Sequence, residues 1–417
     1  MAPNGFSRYQ LKVLAVLTLL NFINYVDRQI IFPLFPLIRR DFGLTYSQLG
    51  ALATAFTVVL SLGTLPFGLL ADRISRKKVI SAGVVVWSLA TFLTGLSQSF
   101  RTLLAARALV GIGEAAYTPA GTAIISATFP QEVRASVQGY FNAGMFAGGA
   151  TGIALGGVLA NWLGWRPAFF IVGIPGLLLA LTIRGLKEPE RQETKHGLPV
   201  RDLLRVPAYV MILISGWFAS FAGYGYVAWG PAVVQEFKRF GPLEAGVTLG
   251  LIVVVAGLAG ILTGAFLSDR LARRVPWGRV AIVPVGFVIS APLVFLALHT
   301  ESKPLFAILF GLGAYFLSWY HGPVTAVIHD LIPSRGHGTA IGIYLFFVNF
   351  FAMAVAPLLI GEIADRSNLL WGLHAAIAAQ LIGGLLFFYV LVLIRRHGLN
   401  HPAMAPYRRN ELSAGAA

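Results

Sequence analysis

Two acids and two arginines stand in stretches of this sequence that are otherwise almost wholly apolar. Arg107 and Glu114 are seven residues apart in Arg107-Ala-Leu-Val-Gly111-Ile-Gly113-Glu114-Ala-Ala-Tyr117, and Asp27 and Arg28 close the run Asn24-Tyr25-Val26. On a helix a spacing of seven returns to the same face about two turns on, roughly 10 Å away. A charge at the centre of a bilayer costs on the order of 3 kcal/mol, so such residues face a bundle interior or a wet cavity. The chemistry open to them is proton carriage. Burial favours the neutral form of a carboxyl and an approaching guanidinium favours the charged form, so a cation that comes and goes loads and unloads the acid. Glu114 is the expected proton carrier with Arg107 as its moving partner. Asp27 is the second acid, pointing about 100° away from Arg28 and toward a neighbouring helix. Against this stands a static reading, in which Arg107 and Glu114 form a fixed ion pair and Asp27 makes a packing hydrogen bond.

Around these charges lie residues suited to holding a ligand. Asn21, Asn24 and Arg28 recur at i, i+3 and i+7 and give the first span a polar stripe, expected to line a cavity. With Arg107 and Tyr117 the stripe would bind an anionic or polar head, and Asn142 would enter from a later span. The C-terminal half offers Tyr224, Trp319, His321 and Asn349 in place of charge. Those residues are expected to form the wall for an apolar part, although aromatics at span ends also serve as interfacial anchors.

Composition dictates what must position these groups. Of 417 residues 57% are hydrophobic and 12% charged, with a mean hydropathy of +0.74, which excludes an ordinary soluble domain. The net charge of +15 is scattered through short loops, as topology signals are, and does not form the stripe that nucleic acid requires. With no cysteine there is no disulfide and no thiol chemistry, and neither a phosphate loop nor an HExxH motif is present. No enzyme, cofactor or metal is expected.

Apolar runs of roughly 20 residues, enough to cross a hydrocarbon core, recur about twelve times. The expected fold is an all-α membrane protein, twelve transmembrane helices in two pseudo-symmetric six-helix bundles, residues 1–186 and 207–396. A polar linker at 187–206 separates them, and a solvated tail occupies 397–417. Most Lys and Arg fall on the side of the two termini, which places both in the cytoplasm. The first span has no cleavage site and reads as retained. In the fifth span Gly144, Gly148, Gly152 and Gly156 recur every four residues, so another helix is expected to approach closely along that face.

The halves repeat each other. Asp72-Arg73-Ile-Ser-Arg76-Lys77 returns as Asp269-Arg270-Leu-Ala-Arg273-Arg274, and Gly111-Ile-Gly113 returns as Gly311-Leu-Gly313. At the places of Arg107 and Glu114 the second copy has Ala307 and Ala314, so the duplicated framework is charged in one half only. Gly68-Leu-Leu-Ala-Asp72-Arg73-Ile-Ser75-Arg76-Lys77 resembles the loop signature of the major facilitator superfamily, with Ser75 where a glycine is usual. Arg107-Ala-Leu-Val-Gly111 resembles that superfamily's fourth-span signature. The resemblance implies alternating access about a site between the halves. Asp72 would then be a gate latch, bonding to the N-terminus of a facing helix and pairing with a base such as Arg134, and Asp269 with Arg270 would act likewise. More narrowly, Asn24-Tyr25-Val26-Asp27-Arg28 and Arg107 through Tyr117 look like the first- and fourth-span motifs of the spinster family of lipid transporters. This chain departs from the eukaryotic members of that family at Gly121 and Ala127.

The expected function is proton-coupled secondary transport of an amphiphilic, lipid-like or anionic substrate by a monomer in a bacterial inner membrane, with membrane lipid and protons as its other partners. A major facilitator for small organic anions or drugs is the alternative. A gradient-independent lipid scramblase or a membrane receptor is the alternative from another class.

Overall fold

The computed structural model describes residues 6–187, 198–275 and 277–408, apart from the side chains of Asp72, Gln131, Glu132, Arg134, Ala135 and Arg184. Among the described residues there is helix and no strand. Eleven helical segments are long and apolar enough to cross a membrane. A twelfth, Phe100–Thr128, has 29 residues and carries Arg107 and Glu114 in its middle. The all-α membrane architecture expected from hydropathy is thus present.

The chain forms two compact units, Met1–Glu193 with Val227–Val254 and Pro357–Gly372, and Thr194–Tyr226 with Val255–Ala356 and Leu373–Ala417. The first unit begins with α1 (Arg8–Phe42), α2 (Tyr46–Arg73), α3 (Arg76–Leu96), α4 (Phe100–Thr128), α5 (Gln131–Trp162) and α6 (Trp165–Arg184). Starts and stops follow local chemistry. Ser7, Thr45 and Ser99 cap α1, α2 and α4 and each forms a capping box, with Gln10, Gln48 and Thr102. Gly43, at φ +63°, ends α1 in a left-handed turn. Pro33 and Pro36 inside α1 cannot donate backbone bonds, which frees the carbonyls four residues back and permits a bend above Asp27 and Arg28.

The four glycines of α5 do what their spacing suggested. They face α1, where each meets a backbone carbonyl, those of Thr18, Phe22, Val26 and Ile30 in turn. A Cβ at Gly144 would lie 2.6 Å from the Thr18 oxygen, and one at Gly156 2.7 Å from that of Ile30. Only glycine admits this approach. Next to this contact Leu17, Leu20, Phe56, Trp87, Tyr117 and Phe141 form an apolar core that is nearly closed to solvent.

The second unit contains α7 (Val200–Leu203), the larger part of α8 (Pro207–Phe237), the later part of α9 (Pro242–Ala272), α10 (Gly278–His299), α11 (Lys303–Leu317), α12 (His321–Leu331), α13 (His337–Phe347) and most of α15 (Leu369–His397). Two spans expected to be continuous are irregular. A 3-10 turn at Ser318–Tyr320 separates α11 from α12, and a π-helical stretch at Val348–Met353 follows α13 and precedes α14 (Ala356–Arg366). Hydropathy counts apolar residues and is blind to hydrogen-bond spacing, so neither irregularity was visible in it. The tail also differs from expectation as far as Arg408. Met404 is fully buried, the Tyr407 hydroxyl donates to Asp202 at 2.6 Å, and Arg408 donates to the carbonyl of Asp330 at 2.8 Å. Those acceptors and an apolar anchor hold against unit two a segment read as solvated. Residues 188–197 of the linker and 409–417 of the tail lie outside the described residues.

Candidate functional site

The middle of α4 supplies Arg107 and Glu114, and α1 crosses it with Asp27 and Arg28. Glu114 is completely buried, and its Oε2 accepts from Arg28 Nη2 at 2.7 Å and from Nε at 3.2 Å. Arg28 of α1 thus supplies a guanidinium bonded to Glu114, a partner that the seven-residue spacing on α4 did not suggest. Arg28 keeps 14% of its side chain exposed. Its guanidinium carbon lies 4.5 Å from the ring centre of Tyr25 and 5.2 Å from that of Phe56. Arg107 approaches the same Phe56 ring at 5.1 Å, so one aromatic ring of α2 serves two cations. Gly111 admits that ring's helix, since a Cβ there would be 2.6 Å from the Phe56 carbonyl oxygen.

Asp27 is 1% exposed and turned toward α3, where the Thr91 hydroxyl donates to its Oδ2. The charged groups that act on Asp27 are Arg107 and Glu114 of α4 and Arg28 of α1. Two acids and two bases thus share a buried site with no net formal charge. Stripping one partner from a buried pair strands a charge and costs about 3–5 kcal/mol, so a proton or a ligand must compensate whenever Arg28 leaves Glu114.

The other residues singled out by sequence are distributed as follows. Asn24 is buried beside Glu114. Asn21 is also buried, its amide committed to the Phe141 carbonyl of α5 at 2.8 Å, and Tyr117 is fully enclosed with its hydroxyl on the Leu17 carbonyl at 3.1 Å. Asn142 is exposed. In the second unit Tyr224 and Trp319 are buried, Asn349 is half-buried within the π-helical stretch, and His321 is exposed, its ring tilted against that of Tyr320 with centroids 4.1 Å apart.

Of the gate residues, Gly68 lies near Pro119 of α4, Lys77 donates to the Leu186 carbonyl at 3.1 Å, Arg76 is buried and Arg73 exposed. The side chains of Asp72 and Arg134, the expected latch, lie outside the described residues. In the second copy Arg270 is exposed, while Asp269 pairs with Arg279 at 3.4 Å, and Arg279 reaches Asp330 at 2.5 Å. Among the described residues no three His, Asp or Glu side chains could hold a metal ion.

A latch of the chemistry expected for Asp72 is found at the opposite end of the helices, within the first unit. Asp365, near the end of α14, accepts from the backbone N–H groups of Tyr46 at 2.7 Å and Ser47 at 2.9 Å, the first turn of α2. The Tyr46 hydroxyl donates to Glu236 of α8 at 2.5 Å, and Arg39 donates to the same hydroxyl at 3.0 Å and pairs with Glu236 at 3.6 Å. Glycines permit close helix crossings at Tyr46 and elsewhere in the first unit. Cβ atoms at Gly361 and Gly246 would meet the Tyr46 carbonyl oxygen at 2.5 Å and the Ile153 carbonyl oxygen at 2.8 Å. Sequence reading passed over Thr91, Asp365, Glu236 and Arg39. A threonine in an apolar run carries no charge signal, and charges at span ends look like ordinary topology signals.

The sequence matches the Major Facilitator Superfamily over residues 17–357. Protein spinster of Drosophila melanogaster is 29% identical over 388 residues, which are 87% of this chain, and the chain spans 63% of that relative's length. The hexuronate transporter of Bacillus subtilis is 27% identical over 408 residues, 94% of this chain and 95% of the relative. A crystal structure of a bacterial homolog to the human lysosomal transporter Spinster, in an inward-facing and occupied conformation, is similar with a TM-score of 0.85 at 25% identity. It covers 93% of this chain and 97% of its own.

Proposed function

We propose a coupling ion and a substrate class on one premise: the chain belongs to the Major Facilitator Superfamily. It is a multi-pass membrane transporter of spinster-like kind and not an enzyme. The finer reading is proton-coupled transport, by alternating access, of an amphiphile with an anionic head.

The observation that carries this reading is the Arg28–Glu114 pair, in which the acid is sealed and the base keeps 14% exposure. Arg28 is the member of the pair that a substrate can reach. An anionic head competes with Glu114 for it, and the acid can give up its cation only by taking a proton, because an unpaired buried carboxylate is too costly. Proton and substrate are thereby exchanged over one guanidinium. The role first expected of Arg107 passes to Arg28, and Arg107 serves Asp27. The aromatic residues of the second unit, Trp319 and Tyr224 among them, suit the apolar part. Opening at the Asp365 end requires breaking its bonds to α2, and the Asp72 loop would serve the other end. The protein works as a monomer with both termini in the cytoplasm, and a bacterial inner membrane fits its charge pattern.

A second reading, a small organic anion as substrate, is favoured by the likeness to the hexuronate transporter over nearly the full length of both chains. Uptake of fluorescent lysophosphatidate and of labelled galacturonate into proteoliposomes separates the two. Transport of galacturonate alone would overturn the amphiphile, and lysophosphatidate movement indifferent to an imposed pH gradient would point to a scramblase.

A further inference from the structure

Several helical threonines of the first unit share a habit that Thr91 does not follow. Thr57, Thr64, Thr94 and Thr128 each donate their hydroxyl to the carbonyl four residues back, on Ala53, Leu60, Ala90 and Ile124. This is the ordinary bond for a threonine inside a helix. Thr91, fully buried on the same helix as Thr94, donates instead across the bundle to Asp27 Oδ2. The other oxygen of that carboxyl, Oδ1, is buried and has no hydrogen-bond partner. A buried polar atom left unsatisfied calls for an explanation.

We propose that Thr91 is a positioning residue for Asp27: its hydroxyl pins Oδ2 to α3 and leaves Oδ1 as the atom where the second acid takes up and returns a proton. This rests on the reading of the buried acids as proton carriers and adds which oxygen works and what holds it. The proton arrives from hydronium, which becomes water, and forms the Oδ1–H bond. On the return that bond breaks and the proton passes to water on the other side. Throughout, Oδ2 stays the acceptor of the Thr91 hydroxyl, so the carboxyl need not rotate.

The surroundings hold that geometry. On the far side of α3, a Cβ at Gly173 of α6 would lie 3.0 Å from the Ser88 carbonyl oxygen and 3.8 Å from Thr91 Cβ, so α6 presses against Thr91's helix. On the near side Gly83 and Gly113 bring α3 against α4, where a Cβ on either would lie 2.6 Å from the other's carbonyl oxygen. The charged groups acting on Asp27 are Arg107 and Glu114 from α4 and Arg28 from α1. The Arg28 guanidinium is bonded to Glu114.

Infrared difference spectra of the full-length protein, acidic minus neutral, test the proposal without a substrate. Asp27→Asn identifies the band of the protonated Asp27 carboxyl. With the C=O at Oδ2 accepting from Thr91, that band should move to higher wavenumber in Thr91→Val and Thr91→Ala and stay in place in Thr91→Ser. Proton-driven uptake of the probe that the wild type transports should fall in the two hydroxyl-free variants and recover in the serine variant. A merely structural role predicts the opposite order, because valine keeps the shape of threonine and serine does not. If no band disappears in Asp27→Asn, Asp27 takes no proton and the carrier reading falls with the proposal. If the band is present but lies in the same place in all three Thr91 variants, only the role of Thr91 is overturned.

Discussion

Gly152→Ala places one methyl group where its cost can be measured off the backbone. A Cβ at residue 152 would stand 2.6 Å from the Val26 carbonyl oxygen, 3.0 Å from Val26 Cα and 3.1 Å from Gln29 Cβ, where ordinary contact begins at 3.4 Å. The first contact alone requires α1 to retreat by 0.8 Å, the difference between 3.4 and 2.6 Å. Overpacking of this kind costs about 1–3 kcal/mol, offset in part by the roughly 1 kcal/mol that alanine gains over glycine in a helix. Gly139, on the same helix, has nothing within 4 Å of its ideal Cβ. There the same substitution should stabilise by about 0.4–1 kcal/mol. Function should diverge further than stability. Val26 directly precedes Asp27 and Arg28, so the retreat shifts Arg28 relative to Glu114, and a misplacement near 1 Å costs on the order of 100-fold in rate. The assays are the thermal unfolding midpoint in detergent and pH-gradient-driven uptake in proteoliposomes. The reasoning is refuted if Gly152→Ala matches Gly139→Ala in midpoint and wild type in uptake.

Arg28→Met should destabilise by about 3–5 kcal/mol, and adding Glu114→Gln should restore part of that loss. A double-mutant cycle with additive terms would deny the pair. Glu114→Gln alone should keep substrate exchange while losing its dependence on an imposed pH gradient, so full gradient dependence in that variant removes Glu114 as carrier. Asp365→Asn keeps the shape of the latch and removes its charge from the α2 N-terminus, a loss of about 0.3–1 kcal/mol. The chain has no cysteine, so a single Leu49→Cys reporter, buried in α2, reads the opening cleanly. Maleimide labelling from that end should quicken by a factor of about 2 to 5, and an unchanged rate counts against the latch. Met404→Ala should cost about 2–5 kcal/mol if the tail is packed as described, whereas a solvated tail would lose nothing measurable.

What was legible in the sequence was mostly what periodicity encodes. Runs of apolar residues gave the helices, and the four-residue spacing of glycines in α5 identified a face that another helix would touch. The charged residues themselves were equally plain, because acids and bases inside an apolar run have few bland explanations. Their pairing was not. A seven-residue spacing says that Arg107 and Glu114 share a face of one helix, but Arg28 and Glu114 are 86 positions apart, and which of two arginines reaches the acid depends on how α1 is turned. Thr91 was invisible for a related reason, since its significance lies in an acceptor on another helix. Asp365 and Glu236 are charges at span ends, where topology signals are common, and only the helix end and the hydroxyl they meet set them apart.

The contact between α1 and α5 has a property that bears on how these charges are aligned. Because glycines and carbonyls both recur every four residues, sliding one helix past the other by four residues, about 6 Å, would bring three of the four pairs back into the same contact. Van der Waals packing therefore leaves the register of the two rods nearly degenerate. The tie is broken by hydrogen bonds that each recognise one address on α1 or α5: the Asn21 amide on the Phe141 carbonyl and the Tyr117 hydroxyl on the Leu17 carbonyl. Two neutral bonds of about 1 kcal/mol apiece thus act as the index marks that put Arg28, and no other rung of α1, opposite the acid of α4.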